Sequence, residues 1–309
     1  MKKVDAVVVT YNRKQMVIET IDAILNQTYP VNKIIIVDNK STDGTLELLN
    51  EMGYTRHPKI ELVALNSNTG GAGGFNAGMK HSRENSEADW IWIMDDDVEP
   101  LPNCLEELIQ AAEKLPYSVS FLASSIRGMK DEPMNVPKLP KGMSTGYVDW
   151  YKHLDEGIVQ ISKATFVSLL INMDAVRKCG LPWAPFFIWG DDSEYTQRII
   201  RDYGPAFMVG RSKAIHKRKS ADALSIVKED NPNRINMFFY YYRNNLIGYW
   251  EYEDSLHKFL CLGKLGYDFF GVLFKSRYKV KKMGVILRAF NAFAFGTYDR
   301  KSFKNRAML

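Results

Sequence analysis

The chain has 309 residues, of which 46% are hydrophobic and 25% are charged. This length and composition allow one large domain, or one domain with an appendage, and exclude a disordered tail or a peptide-sized module. The formal net charge of +5 is unevenly distributed, because residues 255–309 contain 12 Lys and Arg against two Asp, a net charge of +10, which leaves −5 for residues 1–254. The basic character therefore belongs to the C-terminal region.

The first half of the chain alternates short apolar runs with helical segments. The runs VDAVVVT, KIIIVD, IELVAL and WIWIM are mostly apolar, which is typical of strands in a parallel sheet covered by helices on both faces. The sequence therefore predicts an α/β fold with a Rossmann-like, mostly parallel, doubly wound sheet. In such sheets ligands bind beyond the carboxyl ends of the strands, where this chain has Thr10, Tyr11, Asp38 and Asp95–Asp97.

The middle of the chain has a different pattern. Prolines interrupt residues 116–157 and no periodicity is sustained there, so we predict an irregular insert that is either mobile or faces the acceptor. The run SKATFVSLLIN then predicts a strand, and the acidic segment GDDSEY predicts the start of a helix that ends near Gly204.

The three cysteines, Cys104, Cys179 and Cys261, are widely spaced, without a CxxC motif or a nearby pair of histidines. This spacing predicts neither a disulfide framework nor a zinc site, and it favours a reducing compartment such as the cytoplasm. The N-terminal apolar stretch is short and contains Asp5, so we interpret it as a buried first strand and not as a signal peptide.

Three consecutive carboxylates, Asp95, Asp96 and Asp97, directly follow the run WIWIM. Their mutual repulsion is costly at the mouth of a buried strand unless a cation or strong donors neutralise it. A Mg²⁺ or Mn²⁺ ion that bridges carboxylates to a diphosphate would do so. A solvated acidic turn or a helix N-cap is the alternative, and the position directly after a strand favours the metal.

The segment NTGGAGGFNAG contains four closely spaced glycines, Gly70, Gly71, Gly73 and Gly74. Glycine lets the backbone approach a ligand closely, and the helix predicted from about Gly74 would offer free N–H groups to an anion. The alternative is a tight turn between a strand and a helix. A dinucleotide-binding loop is disfavoured because the segment does not follow the first strand.

The segments VVVTYNR, IIIVDNKSTDGT, NTGGAGGFNAG and IMDDD, in this order and near these spacings, resemble the family 2 glycosyltransferases with the GT-A fold. The resemblance covers about residues 4–250 and implies a nucleotide-sugar donor and a Mn²⁺ or Mg²⁺ cofactor. It also implies a set of nucleotide-binding residues, namely Thr10, Tyr11, Arg13, Asp38, Asn68, Gly70, Asp95 and Asp96.

Within this family, a DDD triplet, a W-x-D-D segment and a later histidine together resemble the galactofuranosyltransferases. This resemblance implies that Asp95, Asp97 and His216 hold the metal, although a lone histidine is more often a packed or surface residue. It also implies UDP-galactofuranose as the donor. The alternatives are a rhamnosyltransferase that uses dTDP-rhamnose, a non-catalytic sugar-nucleotide-binding or scaffold protein, and a nucleotidyltransferase.

An inverting transfer needs a carboxylate that takes the proton of the acceptor hydroxyl. We assign Asp192 as this base, with Asp191 as the second catalytic candidate that positions the acceptor. Glu194, in the first turn of the predicted helix, and the aromatic residues Trp183 and Trp189 are candidates for contact with the acceptor or the sugar. A helix-capping role for Glu194 and core packing for the tryptophans are the structural alternatives.

We predict a catalytic domain in residues 1–250 and a basic, amphipathic, helical region in residues 251–309. The latter has no run of about 18 apolar residues that could span a membrane, but it combines Phe and Leu with Lys and Arg at helical spacings. This combination favours an anionic membrane surface over nucleic acid as the partner, with a helical hairpin that dimerises as the alternative. We therefore expect a glycan or lipid-linked glycan acceptor at the cytoplasmic face of the cell membrane.

Overall fold

The computed structural model describes residues 1–140, 149–218 and 224–296. The strands are β1 (Val4–Thr10), β2 (Lys33–Asp38), β3 (Ile60–Ala64), β4 (Trp90–Asp95), β5 (Val98–Pro100), β6 (Phe121–Arg127), β7 (Ile158–Ile161), β8 (Leu169–Asn172) and β9 (Ala206–His216). The helices are α1 (Lys14–Leu25), α2 (Thr45–Glu51), α3 (Gly70–Asn85), α4 (Cys104–Lys114), α5 (Met173–Cys179), α6 (Asp191–Asp202), α7 (Pro232–Tyr252), α8 (Ser255–Lys275) and α9 (Lys279–Ala294).

All nine strands form one mixed sheet in the order β3-β2-β1-β4-β8-β6-β9-β5, with β7 paired to β9. Strands β1 to β4 are parallel to one another, whereas β8 runs antiparallel to both β4 and β6. Successive residues of a strand point to opposite faces, so Val8 packs in the core layer beneath α1 and α4, and Val7 packs in the layer beneath α3, α5 and α6. The predicted α/β fold class is confirmed.

Strand β6 lies inside the sheet, between β8 and β9, in a part of the chain that we predicted to be irregular. The prediction failed for this strand because some of its buried side chains are serines, which do not give the apolar pattern of a strand. The hydroxyl of Ser124 lies 2.7 Å from that of Ser168 and 2.8 Å from that of Ser212, beside the thiol of Cys104. These buried groups satisfy one another. Residues 141–148 of the predicted insert lie outside the described residues.

Helix α3 begins at Gly70, four residues earlier than predicted, so the glycine run forms its first turns. A Cβ atom on Gly70 would lie 2.0 Å from the carbonyl oxygen of Phe187, and one on Gly74 would lie 2.4 Å from Cγ1 of Val9. These two glycines therefore let α3 pack closely against β1 and against the segment that precedes α6. The predicted role of Gly70 in nucleotide binding stays a prediction.

The last three described helices pack together around a small core of their own. Its buried members are Ile226, Ile235, Phe238, Tyr242, Val272, Val285, Ile286 and Ala289. Helix α7 starts well inside the range predicted for the catalytic domain and continues past residue 250. None of the helices in the described ranges combines the length and the hydrophobicity needed to cross a membrane.

Candidate active site

The acidic triplet lies where β4 ends and the chain turns into β5. Strand β5 pairs antiparallel with the end of β9, with Val98 opposite His216. The pairing continues through the N–H of Lys217, which donates to the carbonyl oxygen of Asp97 at 2.8 Å. Two segments more than 100 residues apart in sequence thus meet at one edge of the sheet, and this backbone ladder brings the His216 ring beside the carboxylate of Asp97.

Asp95, Asp97 and His216 form a group whose candidate ligand atoms all lie within 4.8 Å of one another. Oδ1 of Asp97 is 3.1 Å from Nε2 of His216, yet it is buried and makes no hydrogen bond with any described residue. Nδ1 of His216 lies 2.8 Å from the amide oxygen of Asn135. An amide oxygen can only accept, so Nδ1 carries a proton, and in the neutral form of the ring the lone pair of Nε2 faces Asp97. Two buried lone pairs that face each other fit a shared cation.

Asp96 faces away from this group and is held by the N-terminal segment. The Thr10 hydroxyl donates to its Oδ2 at 2.8 Å, and Nη1 of Arg13 lies 3.0 Å from its Oδ1. The same nitrogen of Arg13 is 2.6 Å from Oδ2 of Asp97. In this conformation Thr10 and Arg13, both predicted to bind the nucleotide, hold the triplet in place. Tyr11, by contrast, is 43% exposed.

The three carboxylates have different proton affinities. Burial, together with the charges of Asp97 and Asp96, raises the pKa of Asp95 well above its usual range. Burial also raises the pKa of Asp96 to about 6, although Arg13 works against this shift. Burial acts in the same direction on Asp97, but contact with His216 and Arg13 outweighs it and lowers its pKa. A bound divalent cation would favour the ionised form of all three carboxylates.

The carboxyl end of β2 lies next to that of β1, the strand that pairs with β4, and the loop after β3 leads into α3. Asp38 is buried at the end of β2, and both of its carboxylate oxygens lie 3.2 Å from the backbone nitrogen of Ser41. The exposed Asn68 accepts a hydrogen bond from the N–H of Gly70 at 2.8 Å. Both side chains therefore make local contacts with the backbone of their own loops. The predicted nucleotide contacts of Asp38 and Asn68 stay predictions.

Asn39 is a residue of this region that the sequence did not single out. Its amide nitrogen donates to the carbonyl oxygen of Gly70 at 2.8 Å, and its amide oxygen accepts from the N–H of Thr69 at 2.8 Å. The side chain is 2% exposed. Asn39 therefore fastens the start of α3 to the end of β2, and its place directly after the predicted strand was the signal that could have identified it.

The segment before α6 has an unusual backbone that helix α7 holds in place. Phe187, Trp189 and Gly190 all have positive φ angles, of 62°, 61° and 100°. The amide nitrogen of Asn244, in α7, lies 2.9 Å, 3.2 Å and 2.9 Å from the carbonyl oxygens of Phe186, Ile188 and Trp189, and Asn244 is 1% exposed. Left-handed backbone in residues other than glycine persists only where its surroundings fix it, and Asn244 supplies that support.

Asp191 and Asp192 begin α6 directly after this segment. Burial and the neighbouring charge of Asp192 raise the pKa of Asp191 to about 8. Asp192 is less buried and accepts a hydrogen bond from the N–H of Ser193 at 2.6 Å, while burial raises its pKa as well. The charge of Asp191 also contributes to raising the pKa of Asp95. The structure thus places Asp191, at the start of α6, within electrostatic reach of Asp95.

The three candidates for acceptor contact are mainly packed against other protein groups. Glu194 is 1% exposed, because its carboxylate pairs with Arg198 at 2.9 Å and accepts from the hydroxyl of Tyr252 at 2.7 Å. Trp183 is 7% exposed and stacks on the guanidinium of Arg198, and Trp189 packs against aromatic residues of α7. Glu194 and Trp183 are buried against these protein groups, and the predicted acceptor or sugar contacts of Glu194, Trp183 and Trp189 stay predictions.

The chain belongs to glycosyl transferase family 2, whose family model matches residues 5–170, more than half of the 309 residues. It is an enzyme of the glycosyltransferase class, as predicted. It is similar to the galactofuranosyltransferase GlfT1 of Mycolicibacterium smegmatis, with 27% identity over 82% of this chain and 85% of the relative. It is also similar to GlfT1 of Mycobacterium tuberculosis, with 26% identity over 87% of this chain and 88% of the relative.

Two solved structures share the fold. TarS of S. aureus matches with a TM-score of 0.54 and 13% identity, over 97% of this chain and 44% of the TarS chain. The structure of GalNAc-T7 with UDP, GalNAc and Mn²⁺ matches with a TM-score of 0.56 and 14% identity, over 83% of this chain and 54% of the other. The chain thus spans about half the length of each of these structures. Both likenesses confirm the predicted GT-A fold.

Asn244 provides a test of how the segment before α6 is held. Asn244→Asp replaces a buried donor with an acceptor that faces three carbonyl oxygens, so we expect the free energy of unfolding to fall by about 2 to 4 kcal/mol. Displacement of Asp191 and Asp192 should also lower the rate of sugar transfer about tenfold or more. Thermal unfolding and a transfer assay measure the two effects.

The matched control is Asn245→Asp, because the amide nitrogen of Asn245 donates within its own helix, to the carbonyl oxygen of Tyr241. It should change both quantities little. Equal effects of the two substitutions would contradict the role of Asn244.

Proposed function

We propose that this glycosyltransferase catalyses an inverting, metal-dependent transfer of galactofuranose from UDP-galactofuranose to a hydroxyl of a growing cell-surface polysaccharide or a lipid-linked glycan. The observation that carries the proposal is the group formed by Asp95, Asp97 and His216 at the end of β4, with Asp191 within electrostatic reach of Asp95 and Asp192 next to Asp191 at the start of α6. The similarity to galactofuranosyltransferases over most of the chain supports this choice of sugar.

Asp95, Asp97 and His216 would hold the metal. Two carboxylates and one imidazole suit Mn²⁺ better than Mg²⁺, which prefers an all-oxygen environment. When bound, the ion would neutralise charge on the diphosphate of the donor and so make it a better leaving group. Asn135 would fix the tautomer and orientation of His216, as second partners of metal-bound histidines commonly do.

Asp192 is the proposed general base. The acceptor oxygen attacks the anomeric carbon as the bond between that carbon and the diphosphate oxygen breaks, and the hydroxyl proton passes to the carboxylate of Asp192. A single in-line displacement of this kind inverts the anomeric configuration. Asp191 is less suited to accept the proton at neutral pH, because a carboxyl with a pKa of about 8 is already largely protonated. Its protonated form could instead donate a hydrogen bond to the acceptor.

The residues around the metal group are the proposed donor pocket. Tyr11 offers an exposed ring beside the triplet, and Asp38 lies at the end of the neighbouring strand. Arg13 has a half-exposed guanidinium that can exchange a carboxylate for a phosphate oxygen when the donor binds. We further propose that transfer takes place at the cytoplasmic face of the cell membrane, where a lipid-linked acceptor would reside.

Donor choice is tested by thermal stability, because a ligand that binds only the folded state stabilises it. We expect UDP-galactofuranose with Mn²⁺ to give the largest rise in melting temperature in a panel of UDP-, GDP-, CMP- and dTDP-sugars. At about 100 times its dissociation constant, a ligand adds about 2.7 kcal/mol of stability. A larger rise in melting temperature with dTDP-rhamnose would contradict the proposed donor and indicate a rhamnosyltransferase.

Metal dependence is tested by Asp97→Asn, which removes one of the proposed ligands. We expect the affinity for UDP in the presence of Mn²⁺ to fall by at least about tenfold. Substitutions of residues that only support metal ligands already lower metal affinity or activity by about this factor. Isothermal titration measures this affinity. Asp131→Asn, which changes a carboxylate that is 89% exposed, is the control. Equal affinity of the parent for UDP with and without a chelator would refute the metal site.

Asp192→Asn separates donor binding from chemistry. The amide keeps the shape of the side chain but accepts a proton poorly, so transfer should fall by about 10²- to 10⁴-fold while donor affinity stays near that of the parent. A turnover assay beside the thermal-shift measurement distinguishes these quantities. If turnover remains near normal, the base is Asp191 or another residue.

A further inference from the structure

Helix α8 carries a stripe of large apolar side chains on its outer face. We call these residues the outer stripe; each is more than half exposed, and they are Leu256, Phe259, Leu260, Tyr267, Phe270 and Phe274. They recur at intervals of three, four and seven residues, which places them on one side of the helix. Contiguous exposed apolar surface of this kind on a folded protein marks an interaction site.

The opposite face of α8 is packed, so the orientation of the helix is fixed. Val272 is fully buried in the core shared with α7 and α9. Asp268 is also buried, accepts from the Tyr242 hydroxyl at 2.9 Å and pairs with Lys264 at 3.0 Å. The outer stripe is therefore the surface that remains after α8 has packed on its neighbours.

The surface around the outer stripe carries charge of one sign. Residues 255–296 contain eight Lys and Arg and a single acidic residue, the buried and paired Asp268. One of the eight, Lys282, is fully buried, where its ammonium group donates to the carbonyl oxygen of Val227 and the hydroxyl of Ser276. Lys275, Lys279 and most of the others are exposed, so this part of the molecule is a basic surface crossed by an apolar stripe.

We propose that the outer stripe of α8 docks on an anionic lipid bilayer, with the helix lying in the plane of the interface. The aromatic and leucine side chains would enter the boundary between headgroups and acyl chains, and the surrounding Lys and Arg would contact the anionic headgroups. A second copy of the chain fits less well, because a two-fold symmetric contact through this face would place like charges opposite each other.

This inference deepens the proposed location at a membrane. Its test measures binding alone, so a negative result leaves the proposed transfer reaction in place, and a failure of the proposed donor leaves the docking surface in place.

The experiment is cosedimentation of the full chain with phosphatidylcholine vesicles that contain, or lack, an equal part of phosphatidylglycerol. The triple variant Phe259→Ser, Tyr267→Ser, Phe274→Ser should partition onto the anionic vesicles at least about tenfold less than the parent. The pair Lys275→Glu, Lys279→Glu should weaken binding only where the vesicles are anionic, and added salt should have the same effect. All variants should keep the melting temperature of the parent, because the changed side chains are exposed.

The matched control changes three exposed apolar residues outside the C-terminal helices, Met52→Ser, Met129→Ser and Leu154→Ser. It should bind anionic vesicles within about twofold of the parent. Light scattering without lipid provides the second arm, in which parent and triple variant should have the same molar mass. The proposal is overturned if the triple variant binds vesicles as well as the parent does, or if it converts a parent dimer to a monomer.

Discussion

The concentration of buried negative charge at the end of β4 is the constraint on which the arrangement of this site depends. Asp95, Asp96 and Asp97 lie side by side, with Asp191 close enough to add to their repulsion. Such a group needs compensation from several directions. The guanidinium of Arg13 supplies part of it through its contacts with Asp96 and Asp97. The raised pKa of Asp95 indicates that the protein alone leaves the rest to a proton or a cation.

The sequence predicted what its local patterns determine. Strands β1 to β4 are apolar and regularly spaced, so both their parallel pairing and the position of the triplet followed. Strand β6 was missed because its buried serines satisfy one another across the sheet, a long-range arrangement that no window of sequence contains. Asn135 and Asn244 were missed for the same reason, since their partners are 81 and at least 55 residues away in the chain.

The glycine run and the lysines of the C-terminal region show that the role of a residue depends on its tertiary contacts as well as on its type. Glycines that resemble a ligand-binding loop are used at Gly70 and Gly74 to bring α3 against other backbone and side chains. A count of basic residues includes Lys282, which lies inside the helical core with its ammonium group bonded to protein oxygens. In both cases the sequence shows the residue type, but the role of the residue is decided by a neighbour from a distant part of the chain.

The hydrogen bonds from Asn244 to the segment before α6 affect the order in which parts of the active site form during synthesis. The ribosome releases the N-terminal part first, and strands β1 to β4 can pair as soon as they emerge because their contacts are comparatively local. The carbonyl groups of residues 186–189 have no donor from α7 until residue 244 has been synthesised and its helix has docked. A nascent chain can thus possess a formed triplet while its second pair of aspartates is still unplaced, so catalytic competence is acquired late in synthesis.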